Sequence, residues 1–383
     1  MGEGRRPRRP HGFPPLPRGE GRGEGGGRPT PLDSRKTTML PSSLPTPRLR
    51  DPDSVPVLRW GIVGPGWIAE RFVKSLRENT RQQIVAVASR SRERAADFAR
   101  TWSIPGAFGD VQEMLALDRL DAVYVATPHN HHYPDALKVI EAGKHVLIEK
   151  PLALNAREAA DLGERARARN LLCMEAMWCD FLPKYDVLSQ LLADGALGDV
   201  HSLIADHGEH FTIDHRIFNP DLAGGPMLDL GSYLVGLSVK VAGKPKKVIA
   251  IGQPAPGGRV NGQTSMLFEH GNGMHAVLNT TLFSNTPCAA TIAGRDATLV
   301  LPGPFYNPGP FTLTASDGSR TLTFEDPKNR YDQLYHEAIH FAWCVGEGLR
   351  ESPIRPLQAT LDTLSTMDEV RRQIGVRFNE ERD

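Results

Sequence analysis

Two stretches of the 383-residue chain concentrate side chains able to do acid–base chemistry. In His145–Leu152, HVLIEKPL, Glu149 and Lys150 follow the apolar run Val146-Leu147-Ile148. A run this short, bounded by Gly143 and Pro151, reads as a strand buried on both faces. Its ionisable Glu-Lys pair then stands at the carboxyl end, the edge where open α/β sheets take ligands. Pro151 has no N–H to give, so strand pairing should stop there. The second stretch is a helix predicted over 226–241, with Leu230, Leu234, Leu237 and Val241 as its core stripe. Asp229 and Tyr233 lie four residues apart on an adjoining face. Gly224-Gly225 before them lets a ligand or another chain come close. Alone, this carboxylate–phenol pair reads as a surface hydrogen bond or as a catalytic pair; a neighbouring cofactor domain strengthens the second reading.

Such a domain is written upstream. Leu58–Val63 reads as a strand, followed by Gly64-Pro65-Gly66-Trp67-Ile68-Ala69 and a helix marked by Ile68, Phe72 and Leu76. Gly64 permits the tight turn, Gly66 admits a pyrophosphate, and Ala69 allows close helix–strand packing. The helix N-terminus offers unpaired N–H groups to phosphates. The plain alternative is a tight βα turn; the context favours a dinucleotide site. A second strand, Ile84–Ser89, ends at Ser89-Arg90. A carboxylate there would select NAD by holding its ribose hydroxyl, whereas Arg90 suits the 2′-phosphate of NADP. Arg90 as a solvated surface residue is the other reading.

The elements that must position these groups alternate. Helices over 92–100, 111–117, 134–142 and 155–169 separate strands at 107–108, 122–126, 146–148 and 171–174. Asn155-x-x-Glu158 resembles a capping box. Six strands with crossover helices make an α/β unit with a doubly wound parallel sheet of the Rossmann type, residues 56–178. After Cys179 the rhythm changes. A helix at 183–192 and the 226–241 helix accompany eight strand-like segments between 200 and 324, giving an α+β domain, 179–383, with a large open, mainly antiparallel sheet.

Residues 1–55 form a low-complexity arm. The first 50 hold nine Gly, ten Pro and a net charge of +7, and should be disordered and dispensable for stability. A start near Met39 is one expectation; the Arg5-Arg6 and Arg8-Arg9 pairs suggest twin-arginine export, but no apolar h-region follows them, so disorder is the favoured reading. The rest is acidic, which gives no electrostatic reason to expect nucleic acid. No stretch nears the roughly 18 apolar residues of a membrane span. Four cysteines without paired spacing fit a reduced, cytoplasmic protein. The histidines of His129-Asn130-His131-His132 lack the spacing of a metal site, so none is expected; His129 and His132 read as polar residues beside a cofactor.

Taken in order, GxGxxA, Thr127-Pro128…His132, AGKHVLIEKP (Ala142–Pro151) and GGxxxDxGxY (Gly224–Tyr233) resemble the Gfo/Idh/MocA oxidoreductase family. Glu175–Pro183, Arg216–Gly225 and the tail from Tyr331 to Gly375 are most similar to its dimeric dihydrodiol dehydrogenase and NADP-dependent D-xylose dehydrogenase branch. The resemblance covers about residues 57–378. It implies nicotinamide-dependent hydride transfer on a sugar, polyol or cyclic trans-diol, and a homodimer or higher homo-oligomer formed through the C-terminal sheet. It places the catalytic pair at Lys150 and Tyr233, and substrate contacts at Asp229, Glu149, Trp178 and Arg216. The cofactor would lie along Gly64, Gly66, Trp67 and Ile68, then Ser89 and Arg90, then Thr127, Pro128, His129 and His132, ending at Glu149 and Lys150. One departure is Asp180, where that branch usually carries arginine.

Oxidising an alcohol requires a proton acceptor at oxygen while the cofactor takes the hydride. A phenol near pKa ~10 is a poor base at neutral pH, and an adjacent ammonium would lower it. Tyr233 as acid/base with Lys150 as its electrostatic partner is the preferred assignment, with Lys150 as direct proton donor the alternative. Two other functions fit the same fold: a redox-assisted, NAD-holding glycosidase and a non-catalytic NADP-sensing regulator.

Overall fold

A computed structural model describes residues 40–326 and 331–381. The first half alternates strictly: β1 (Arg59–Val63), α1 (Trp67–Asn79), β2 (Gln83–Ala88), α2 (Arg92–Thr101), β3 (Gly106–Phe108), α3 (Val111–Leu115), β4 (Ala122–Val125), α4 (His129–Glu141), β5 (His145–Glu149), α5 (Ala156–Ala168) and β6 (Cys173–Ala176). The six strands form a parallel sheet in the order β3-β2-β1-β4-β5-β6. Chain direction across the sheet reverses between β1 and β4, and the carboxyl edge there is the natural ligand crevice. β4 and the centre of β5 are buried throughout, as helices covering both faces require. β5 ends at Glu149, before Pro151, as its missing N–H demands. Asn155 caps α5 by accepting the Glu158 N–H at 3.0 Å.

Boundaries differ in two places. α4 starts at His129 and not near Pro134, because Pro128 serves as its N-cap and the helix tolerates Pro134 in its second turn. β6 runs two residues later than the apolar run suggests, since Glu175 takes part in it.

The second half contains α6 (Pro183–Ala193), β7 (Val200–Gly208), α7 (Ser232–Ala242) and the strands β8 (Lys247–Pro254), β9 (Asn261–Glu269), β10 (His275–Thr281), β11 (Ala290–Gly294), β12 (Ala297–Leu301), β13 (Phe311–Ala315) and β14 (Thr321–Phe324). They form an eight-stranded sheet ordered β14-β13-β12-β11-β7-β10-β9-β8, in which β7 and β10 run parallel and the other neighbours antiparallel. Residues such as Leu203, Phe268, Leu278 and Ile292 fill its inner face, against which α7 packs. The fold is thus a Rossmann-type α/β unit followed by an α+β unit with a large, mostly antiparallel sheet.

Two segments depart from the expected partition. α8 (Tyr335–Gly346) returns to the first sheet, where Phe341 meets Trp60 with ring centres 5.1 Å apart. α9 (Leu357–Gln373) packs on α5, α7 and β8. Residues 1–39 of the expected arm lie outside the described residues. Residues 40–55 are described and make native contacts: Leu40 and Leu44 pack on the main core, Arg48 N–H donates to Asp186 Oδ2 at 2.7 Å, and Val55 is buried. Among the described residues no helix is long and apolar enough to cross a membrane.

Candidate active site

Lys150, Asp229, Tyr233, Trp178 and Arg216 converge at the carboxyl edge of the parallel sheet. Lys150 leaves β5 with its Nζ 2.7 Å from the Asp229 carbonyl oxygen and 3.0 Å from Asp229 Oδ1. The same Nζ lies 4.7 Å from the centre of the Tyr233 ring. Asp229 belongs to a π turn, Met227–Gly231, that precedes α7. A π turn offsets the helical ladder and recurs at functional sites; here it presents the Asp229 carbonyl to Lys150. The 3.6-residue reading missed this turn, because the apolar stripe continues through it. Arg216 Nη2 reaches Asp229 Oδ2 at 3.3 Å. Burial alone would push the Asp229 carboxyl up, but Lys150, His129 and Arg216 hold it well below the usual range. Because burial lowers His129 itself to about 3, Lys150 and Arg216 do this at neutral pH.

Tyr233 is fixed on several sides. The Trp178 indole N–H donates to its hydroxyl oxygen at 3.1 Å, and Tyr306 stacks on its ring at 4.5 Å between centres. His207 stacks on Tyr306 at 4.4 Å, and both reach Glu209 Oε1, the Tyr306 hydroxyl at 3.0 Å and His207 Nε2 at 3.1 Å. Sequence reasoning gave no role to Tyr306, Glu209 or His207. His207 lies at the end of β7, Glu209 just after it and Tyr306 about 100 residues on, with no shared motif, so nothing short of the fold joins them to Tyr233. The protonation expectation also changes. Burial pushes the Tyr233 hydroxyl well above 10. Lys150 does not reverse this, because it stands over the ring face and Asp229 already meets its charge.

Glu149 does not join the Lys150–Asp229–Tyr233 group. One of its oxygens accepts from the Tyr124 hydroxyl and the other from the Lys150 backbone N–H at 3.0 Å. Burial pushes its carboxyl up, and pushes that of neighbouring Glu337 much further.

On the cofactor side, Gly64 has φ +91°, and a Cβ there would stand 2.8 Å from the Ala126–Thr127 backbone. That close approach explains the glycine. A Cβ on Gly66, the N-cap of α1, would meet nothing within 4 Å, so the helix end is open. Thr127 Oγ1 is buried with no hydrogen-bond partner. Open N–H groups, an uncommitted buried hydroxyl and an exposed cation suit a dinucleotide. Exposed Arg90 follows β2, with Nη1 3.5 Å from His131 Nε2, and Ser89 Oγ accepts the Ser91 N–H at 3.3 Å. Pro128 caps α4; Ile68 lies one residue into α1, and half-exposed Trp67 meets Tyr331 edge-on at 5.2 Å. His132 ties the neighbouring loops together, Nδ1 to Pro151 O and Nε2 to Thr127 O, both at 2.8 Å. Burial still lowers the pKa of its imidazole. Among the described residues no group of three or more His, Cys, Asp or Glu could hold a metal ion.

A parallel sheet ordered 3-2-1-4-5-6, a glycine turn at its switch point and a lysine–tyrosine cluster at the same edge fit a nicotinamide-dependent oxidoreductase. Sequence comparison agrees. Residues 58–177 match the model of the oxidoreductase family with an NAD-binding Rossmann fold, and residues 185–300 match the GFO/IDH/MocA C-terminal domain. The chain is 35% identical to trans-1,2-dihydrobenzene-1,2-diol dehydrogenase of Oryctolagus cuniculus, over 84% of this chain and 100% of that one. It is 32% identical to scyllo-inositol 2-dehydrogenase (NADP(+)) IolU of Bacillus subtilis, over 84% and 98%. Among solved structures, KijD10, a 3-ketoreductase from Actinomadura kijaniata in complex with NADP and TDP-benzene, superposes with a TM-score of 0.74 at 25% identity, covering 83% of this chain and 98% of that one. The chain belongs to the Gfo/Idh/MocA oxidoreductase family and is an NAD(P)-dependent dehydrogenase.

Proposed function

We propose that this enzyme uses NADP to move hydride to or from the hydroxyl-bearing carbon of a sugar, polyol or cyclic trans-diol. The observation that carries the reading is the Lys150–Asp229–Tyr233–Trp178 cluster at the sheet edge. When bound, the nicotinamide would accept the hydride in its oxidised form and donate it in its reduced form. The chain's own groups handle the proton. Tyr233, kept protonated by burial, gives its proton to a carbonyl oxygen in the reducing direction and recovers it from the alcohol in the other. Lys150 supplies positive charge beside the oxygen on which negative charge develops. Asp229 and Arg216 hold substrate hydroxyls. Arg90 holds the cofactor's 2′-phosphate; the NADP named for the Bacillus enzyme and present with KijD10 supports this choice. The names of the relatives support hydroxyl substrates.

In the same reading, residues 56–178 bind cofactor and 179–383 bind substrate and a second copy of the chain. The outer face of the large sheet supports the homodimer. Val300, Ile204, Val277, Leu267 and Ile249 are exposed there and lie in one row of paired positions. Four free cysteines fit a cytoplasmic location. A panel of aldoses, polyols and trans-cyclohexanediol with NADP⁺ and NAD⁺, followed by absorbance of the reduced cofactor, tests the reading. No turnover across the panel, with cofactor binding intact, would overturn it.

A further inference from the structure

Residues a few positions from the site form a buried chain of alternating charge. Lys240 Nζ on α7 stands 3.3 Å from Asp180 Oδ1. Asp180 Oδ2 accepts from Arg355 Nη1 at 3.4 Å. Arg355 Nε and Nη2 donate to Glu175 Oε2 at 2.9 and 2.7 Å, where the Thr360 hydroxyl also donates at 2.7 Å. Glu175 Oε1 accepts the Leu152 backbone N–H at 3.0 Å. The Asp180, Arg355 and Glu175 side chains are 7, 3 and 2% exposed, and that of Lys240 16%.

Each outlet of this chain is close to one group of the site. Leu152 is two residues beyond Lys150, Asp180 two residues beyond Trp178, and Lys240 seven residues beyond Tyr233, on the same side of the helix. Buried ion pairs seldom add net stability, yet removing one member leaves an uncompensated buried charge. Such a chain therefore fixes relative position more than it adds stability. An arginine at 180 would set a third cation between Lys240 and Arg355. Aspartate there completes a neutral row of two cations and two carboxylates.

We propose that Asp180 is a positioning residue which, through Lys240, Arg355 and Glu175, holds the Lys150 turn, Trp178 and Tyr233 in mutual register. The proposal rests on the reading of Lys150 and Tyr233 given above. Asp180→Asn should lower kcat about tenfold, since sub-ångström misplacement of reacting groups is costly, while the Kd for NADP⁺ stays within about twofold. Lys240→Met should do the same. The double variant Asp180→Asn/Lys240→Met leaves Arg355 and Glu175 balanced, and should exceed the weaker single variant in both kcat and melting temperature. Asp180→Glu, which keeps the charge, should retain more activity than Asp180→Asn. Singles with kcat within about twofold of wild type, or losses that simply multiply in the double variant, overturn the proposal. Should Asp180→Asn fail to fold, Lys240→Met at the more exposed end decides by its kcat and cofactor Kd. A wild type that turns over nothing on the substrate panel overturns the functional reading instead. The thermal-unfolding cycle between positions 180 and 240 then decides the proposal, with no coupling as the refuting result.

Discussion

Two charged clusters, a front one that includes Lys150 and a rear one joined to it through neighbouring residues, are built differently in this enzyme. The front one, Lys150–Asp229–Arg216, is partly open: the Arg216 side chain is 45% exposed and the ammonium lies over an aromatic ring. The rear one, Glu175–Arg355–Asp180–Lys240, is closed except at its Lys240 end, and Glu175 accepts four of its hydrogen bonds. An open cluster can exchange partners with a ligand at little cost. A closed one can only be satisfied or broken, because water cannot replace a lost partner. Opening to a ligand and holding a geometry are thus divided between two sets of residues that share the segments around Lys150 and Tyr233.

The largest expected effects separate the two sets by readout. Tyr233→Phe removes one oxygen and leaves the α7 stripe intact, so kcat should fall about 10²–10⁴-fold with cofactor affinity preserved. Lys150→Met should cost at least as much, and the double variant should be far from additive, because the two act as one unit. Steady-state kinetics with a cofactor-binding titration checks this. Near-normal kcat in Tyr233→Phe beside an inactive Lys150→Met would make lysine the proton-transfer group.

In the rear cluster, Arg355→Met leaves buried Glu175 without a counter-ion, while Asp180 keeps Lys240, and should destabilise the fold by about 3–5 kcal/mol, measured by urea unfolding. Lys150→Met should change stability far less, since Arg216 still faces Asp229. Equal losses in the two variants would erase the distinction between the clusters.

Cofactor choice is a smaller effect at a third place. Arg90→Asp replaces a phosphate partner by a like charge and should weaken NADP⁺ binding by about 1.5–3 kcal/mol, read by fluorescence titration. An affinity within about twofold of wild type would remove Arg90 as the reader.

The pH dependence of folding tests the front cluster from another side. Burial holds His129 near 3, below its ordinary 6.5, so the unfolded chain binds the extra proton between those values. The stability linked to neutral His129 is complete above 6.5 and is lost as pH falls toward 3. His129→Gln should therefore flatten the stability profile between pH 7 and 5, by about 2 kcal/mol at most. An unchanged slope would show that His129 does not titrate this way.

The smallest effect concerns residues 40–50. Removing everything before residue 51 takes away the Leu40 and Leu44 contacts and the Arg48–Asp186 bond, and Tm should drop by a few degrees, about 1 kcal/mol's worth. A Tm equal to that of a variant lacking only residues 1–37 would show these contacts to be energetically idle.

The sequence by itself determined what depends on local pattern. Period-two and period-3.6 hydrophobicity, the glycine turn at 64–69, Asn155 at its helix cap and Pro151 after β5 specify their elements without reference to distant residues. So does the side chain at each chemically active position, since Lys150 and Tyr233 sit in recognisable local contexts. Tertiary structure decided what depends on which surfaces meet. Only folding takes α8 back onto β1, turns Glu149 away toward Tyr124, and stacks Tyr306 on Tyr233. It also settles charge. The protonation of Tyr233 follows from its burial and from where Asp229 draws Lys150, and Asp180 finds its counter-ions 60 and 175 residues away, at Lys240 and Arg355. Electrostatic energy depends on distance and on exclusion of water, and neither is written in the spacing of residues along the chain.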